Sequence, residues 1–401
     1  MGDSAFHSGQ SANGKLNVCL LCYRGNIFCG GQGIYLYYLS RELARAGHKV
    51  HILVGPPYPP SLPWATVHRI PNLNLWGVRK GFLPKPNPLE IFYPLNFLDF
   101  SLTRFGFFPE MLTFSLRAFR QLQKLVTQER FHIIHDIQCL GYGMLLMKAF
   151  HIPIISTVHH PLTIDRRMQL ERDLTPHEIV TTLAFYPIVM QKIVARNIDL
   201  IITSSQNGVT ELESAFGLNA SKIRVVYNGL DTDFFQRRLE VKRIPNSLLY
   251  VGNCDDRKKG VIYLLKALLD LPKGITLTIV DDDWPIRLEI PKIVTKLGLR
   301  DKVSFTGKVS NEELVKMYSS HEILVAPSLH EGFGLPAAEA MSCQTPVIAS
   351  RAGALPEVIE DHVTGLLVEP RDTKGLTEKI KELLKDPLRR TEMGRAGRER
   401  A

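Results

Sequence analysis

The sequence has no apolar run approaching the ~18 residues that a bilayer crossing needs, and its polar start, MGDSAFHSGQSANGK, lacks the apolar centre of a secretory leader. These absences make a cytoplasmic protein the expectation, with any membrane contact confined to a surface. Cysteine is sparse: six in 401 residues, at positions 19, 22, 29, 139, 254 and 343, too thin a set for a disulfide framework. Cys19 and Cys22 form a CxxC, but within the apolar strand NVCLLCY a spacing of three turns the thiols to opposite faces. Buried thiols are therefore expected there, not zinc. No basic run is interleaved with aromatics, which sets nucleic acid aside as a partner.

Acid is outnumbered, 40 Asp and Glu against 49 Lys and Arg, giving +9 at neutral pH and favouring anionic partners such as nucleotide diphosphates or anionic lipid head groups. At 401 residues the chain is too long for one core and predicts two domains. Hydrophobic residues make up 45% and charged residues 22%, an ordinary globular balance.

From Leu16 onward short β-rich runs alternate with helical ones, the pattern of parallel sheets wrapped by crossover helices. KLNVCLLCY, HKVHILVG, FHIIH, PIISTVHH, DLIITSS and KIRVVYNG are the strands of the first half. The polar stretch QRRLEVKRIPNS has no period of either kind and reads as a linker, after which LLYVG, ITLTIVDDD, KVSFTG, HEILVAPS, TPVIAS and TGLLVEP restart the alternation. The expectation is an α/β protein of two doubly wound domains, residues 15–235 and 236–401, facing across a ligand cleft at the carboxyl ends of both sheets. Residues 56 to 109 break the alternation. They are rich in proline and aromatics, among them Trp64, Trp76, Phe82, Phe92, Tyr93, Phe97 and Phe105, and suit packing on their own domain or contact with an acceptor or membrane.

Two loops suit phosphate. Gly30, Gly31 and Gly33 open a helix after the first strand, where glycine lets backbone amides approach an anion at the positive end of the helix dipole. The spacing is not GxGxxG, and the second strand, HKVHILVGPP, ends without the acid that would hold an adenosine ribose, which disfavours a nicotinamide site. The second loop, VGNCDDRKKG, carries Arg257, Lys258 and Lys259, point charges able to meet a diphosphate or simply a solvated cationic face.

The stretch SLHEGFGLPAAEA places Glu331 and Glu339 seven residues apart in between, on either side of a glycine bend that runs into a helix at Pro336. A carboxylate accepts hydroxyl hydrogen bonds, so two of them suit a ligand rich in hydroxyls. This spacing, with the GG-G loop, STVHH, VVYNGLDTDFF, the VG…KKG loop and FTGKVSNEEL in order along nearly the whole chain, resembles the E-x7-E retaining glycosyltransferases of the GT-B fold, family four. The resemblance implies two Rossmann-like domains, the first binding the acceptor and the second a nucleotide diphosphate sugar, UDP- or GDP-linked. It implies no cofactor and no metal.

By the same resemblance, Glu331 reaches the donor sugar and Glu339 the ribose, His159 lies beside the transferred sugar, and Lys259 clamps the diphosphate. The amides of Phe333, Gly334 and Leu335 meet sugar or phosphate oxygens, Gly31 and Gly33 approach the donor, and Lys308 and Val309 flank the base. One departure stands out: Asn253 occupies the position where the family carries an arginine, which leaves Arg257 or Lys258 to supply the second cation. Asp281, Asp282 and Asp283 are the one acidic run that rivals a metal-free reading. Two other readings stay open from sequence, a sugar-nucleotide binder without turnover and a GT-B nucleotide-sugar 2-epimerase.

Overall fold

The computed structural model describes residues 14–26, 31–75, 88–171, 174–281 and 289–401. Cys29, Gly30, Trp76, Phe82, Asp282 and Asp283 lie outside them. The chain divides into two compact units, one of residues 1–203 and 209–224, the other of residues 204–208 and 225–401.

The first unit is built on β1 (Asn17–Cys22), β2 (Lys49–Val54), β3 (Thr66–Arg69), β4 (Ile133–Ile137), β5 (Ile154–Thr157), β6 (Leu200–Thr203) and β7 (Ile223–Val225), in the order β3-β2-β1-β4-β5-β6-β7. β1 pairs in parallel with β2 on one side and β4 on the other. All six residues of β1 are buried, as expected of a central strand with helices on both faces. Cys19 joins the core on one face and Cys22 the core on the other, the opposed thiols that the spacing predicts.

The second unit repeats the design with β8 (Ser247–Val251), β9 (Thr276–Val280), β10 (Val303–Gly307), β11 (Ile323–Ala326), β12 (Val347–Ser350) and β13 (Gly365–Val368). Their order is β10-β9-β8-β11-β12-β13, parallel throughout. Leu248 and Tyr250 feed one face of its core and Leu249 the other. The strand order reverses between β1 and β4 in the first sheet and between β8 and β11 in the second, and such switch points are where open α/β sheets hold ligands.

Three expectations change in detail. The units exchange at Arg224 and Val225, before the boundary drawn at 235, because Phe235 is buried in the second unit's core. The polar stretch after it is no free linker. Arg243 donates to the carbonyls of His321, 2.5 Å, and Gln344, 2.8 Å, and Ile244 to that of Ser320, 2.7 Å. Between residues 56 and 109 the chain forms β3, a 3₁₀ turn Pro88–Phe92 and a helix Pro94–Arg104. On that helix Asp99 is buried against Arg117, 2.8 Å, and Thr113, 2.5 Å, while Phe97 on it and Phe92, Tyr93 and Phe105 beside it stay exposed. Trp64 does pack inward, donating to the Ser40 hydroxyl at 3.1 Å.

One stretch, Pro176–Asn197, is long and apolar enough to cross a membrane by length and composition, contrary to the reading of apolar runs above. Pro187 splits it into the helices Pro176–Phe185 and Ile188–Asn197, since proline cannot continue a helix interior.

Candidate active site

In the second unit the loops after β8 and β11 flank the switch point. The first carries Asn253, whose side-chain oxygen accepts from the amides of Asp255, 3.0 Å, and Asp256, 3.2 Å. Asp256 in turn accepts from the amide of Lys258, 3.0 Å, and caps the single turn Arg257–Lys259. Asn253 is therefore a loop-shaping residue, a role that an arginine could not perform with a donor-only side chain. Arg257 is exposed, and the Lys258 ammonium stands 3.8 Å from Asp256.

The two loops are stitched together. The Lys258 carbonyl accepts from the amide of Leu329, 2.6 Å, and a Cβ at Gly260 (φ 63°) would fall 2.0 Å from the Pro327 carbonyl oxygen, so only glycine fits. This contact delivers Lys259 to Glu331. The Lys259 ammonium lies 2.8 Å from Glu331 Oε1, and the Ser328 hydroxyl donates to the same oxygen at 2.9 Å. Among the described residues nothing bonds to Oε2. Burial alone would raise the Glu331 pKa, but Lys259 and then Ser328 outweigh it and hold the carboxyl below its ordinary value, so it is anionic at neutral pH. Tyr250, Lys259, Ser328, Glu331, Gly334 and Pro336 line a small pocket there.

Beyond Glu331 the chain bends through Gly334 (φ 101°) into the helix Leu335–Ser342, with Pro336 in its first turn. Phe333 is half-buried at the bend, its ring tilted 6.5 Å from that of Tyr227. Glu339 comes just over one turn in, and the buried Tyr318 hydroxyl donates to it at 2.7 Å. Burial raises the Glu339 pKa to about 7, with the Tyr318 bond pulling the other way. Behind Glu331, Gly353 (φ 56°) packs so closely that a Cβ would lie 2.1 Å from the Glu331 carbonyl oxygen, and the amide of Ala354 donates to that oxygen at 2.9 Å. Val309 is half-buried against the core, and Lys308 is exposed.

In the first unit His159 follows β5. Its ring lies edge-on to Tyr35, centroids 4.8 Å apart, and its Nε2 is buried with no partner among the described residues. Burial first, then His160 and His135, push its pKa down to about 4, so the imidazole is neutral. The Tyr35 hydroxyl is 3.1 Å from Thr157 Oγ1, which lies 2.7 Å from His135 Nε2. Tyr35 belongs to the helix Gly31–Arg45, which Gly31 opens and in which Gly33 is buried; a Cβ at Gly31 would meet nothing within 4 Å, so packing does not demand glycine there.

The structure thus gathers Lys259, Glu331, Phe333, Gly334, Leu335 and Glu339 into one region of the second unit and sets His159, Gly31 and Gly33 near the sheet ends of the first. Ser328, Tyr318 and Tyr35 are not singled out by the sequence. Ser328 had a local signal, a hydroxyl three residues before a glutamate. Tyr318, 21 residues from its partner, had none.

The model for Glycosyltransferase Family 4 matches residues 29–234, and that for Glycosyl transferases group 1 matches residues 231–400. The MMP alpha-(1->4)-mannosyltransferase of Mycolicibacterium hassiacum is 37% identical over 96% of this chain and 93% of its own length. The glycogen synthase of Mycobacterium tuberculosis is 28% identical over 93% and 87%. Among solved structures, sucrose-phosphate synthase from Thermosynechococcus elongatus superposes with a TM-score of 0.75 at 25% identity, covering 96% of this chain and 94% of that one. Anabaena HepE in complex with UDP-glucose gives 0.69 at 16% identity with the same coverage. The chain is a glycosyltransferase of family 4 with the GT-B fold.

Proposed function

We propose that this enzyme is a retaining hexosyltransferase that takes its sugar from a UDP- or GDP-linked donor and passes it to an acceptor hydroxyl without a divalent metal. The observation that carries this reading is the state of Glu331: anionic, with Oε1 held by Lys259 and Ser328 and Oε2 left open beside a helix start. Oε2 accepts hydroxyls of the transferred sugar, and the Lys259 ammonium, with three donors, keeps one on Glu331 and turns the others to the diphosphate. The amides opening the helix Leu335–Ser342 add positive potential, and Glu339 accepts ribose hydroxyls. His159 contributes a neutral imidazole to the donor sugar. The 37% identity to a mannosyltransferase supports mannose as the first sugar to test.

A thermal-shift panel of GDP-mannose, UDP-glucose and related donors tests the donor. A true donor at 100 times its dissociation constant stabilises by about 2.7 kcal/mol. No shift with any of them defeats the donor assignment, and a product of inverted anomeric configuration defeats retention.

A further inference from the structure

The loop after β4 sits at the switch point of the first sheet and carries two residues with left-handed backbone, Gln138 (φ 58°) and Leu140 (φ 48°). Non-glycine residues take that conformation only where their surroundings impose it. Asp136 imposes it here. Its Oδ2 accepts from the amides of Cys139, 3.0 Å, and Leu140, 3.1 Å, and from the Ser156 hydroxyl on β5, 2.7 Å.

The consequence is to turn the buried Gln138 amide across to the end of β5. There Oε1 accepts from the backbone N–H of His159, 3.2 Å, and Nε2 donates to the His160 carbonyl, 3.1 Å. One side chain uses both its ends to pin the backbone on either side of His159. This also fixes the amide's orientation, because a reversed amide would set donor against donor and acceptor against acceptor. The His159 ring is braced separately by Tyr35, and its Nε2 still lacks a partner among the described residues. A backbone clamp, a braced ring and an open, buried nitrogen together describe an imidazole held ready for a ligand.

We propose that Gln138 is a positioning residue for sugar transfer, fixing the backbone that sets where the His159 imidazole meets the donor sugar. The proposal rests on reading His159 as a donor-sugar contact. Gln138→Leu keeps the bulk and removes both bonds, whereas Gln138→Glu keeps the acceptor for His159 and loses the donor to His160. These variants are compared with His159→Ala and with the double variant Gln138→Leu/His159→Ala, using GDP-mannose or UDP-glucose, whichever the parent enzyme turns over.

For Gln138→Leu, kcat should fall on the order of 10- to 100-fold while KM for the donor changes less than about 3-fold, with Gln138→Glu in between. The double variant should be no slower than His159→Ala alone, because both changes act through one imidazole. Additive losses, or a parental kcat in Gln138→Leu, overturn the proposal. Should circular dichroism show Gln138→Leu unfolded, the same cycle is run with Gln138→Glu. Parental turnover in His159→Ala would refute the reading of His159 itself. Inactive His159→Ala beside fully active Gln138 variants would refute only the role of Gln138.

Discussion

At the residue scale the site depends on how each carboxylate is held. Glu331 is pinned through one oxygen and open at the other, so Glu331→Ala should lower turnover by about 100-fold or more while the circular dichroism spectrum stays parental. Lys259→Ala should weaken a nucleoside diphosphate more than the corresponding nucleoside, since only the former carries the charge being met; calorimetry with the two ligands reads the difference. Glu339 titrates near neutrality, at about 7. In the role proposed for it, its ionised form accepts ribose hydroxyls better, so nucleotide affinity should rise with pH through that value. Tyr318→Phe removes the one bond that lowers this pKa and should move the midpoint to higher pH, measured by calorimetry across pH 6 to 9.

At the element scale the bend before the helix Leu335–Ser342 is set by neighbours that admit no side chain. Gly353→Ala would drive a Cβ into the Glu331 carbonyl, from a left-handed backbone that alanine also resists. It should cost more than about 1 kcal/mol of stability and reduce turnover together, read by urea unfolding and initial rates. Gly31→Ala meets no such obstacle in the free protein, so any loss of turnover without loss of stability there would report close approach of the donor.

At the scale of the whole molecule, under the proposed metal-free reading the cations of the Lys259 loop and the helix start supply the positive potential that other sugar transferases take from a divalent ion. Activity should persist with EDTA in excess; restoration by Mg²⁺ or Mn²⁺ after its loss would move attention to Asp281 and its neighbours in sequence. Stability carries its own pH signature. The Glu339 carboxyl is raised from 4.5 to about 7 in the folded protein, so its stabilising contribution is complete below pH 4.5 and is lost as pH rises through 7. Glu339→Gln cannot ionise, so its Tm should gain on the parent's between pH 5 and 8, by up to about 3 kcal/mol in stability terms.

The sequence by itself determined the alternation of strands and helices, because periodicity and glycine bends act within a few residues. It also made Glu331, Glu339 and Lys259 legible, since their spacing sits inside short motifs and the glycines beside them mark where backbone must bend. Tertiary structure decided what those motifs could not contain. Asn253 gained a loop-shaping role, its side-chain oxygen accepting from two amides, that the missing positive charge alone did not suggest. QRRLEVKRIPNS lost its freedom once Arg243 reached carbonyls at His321 and Gln344, and the helix Pro94–Arg104 placed Asp99 inward and Phe97 outward. Tyr318, on the helix Asn311–Ser320, reaches Glu339 on the helix Leu335–Ser342 across 21 residues of chain, and Gln138, just after β4, reaches the His159 amide just after β5 across 21 more. Hydrogen bonds between residues so far apart depend on which strands and helices lie side by side, and that order is fixed by the packing of the whole unit, which no local stretch of sequence records.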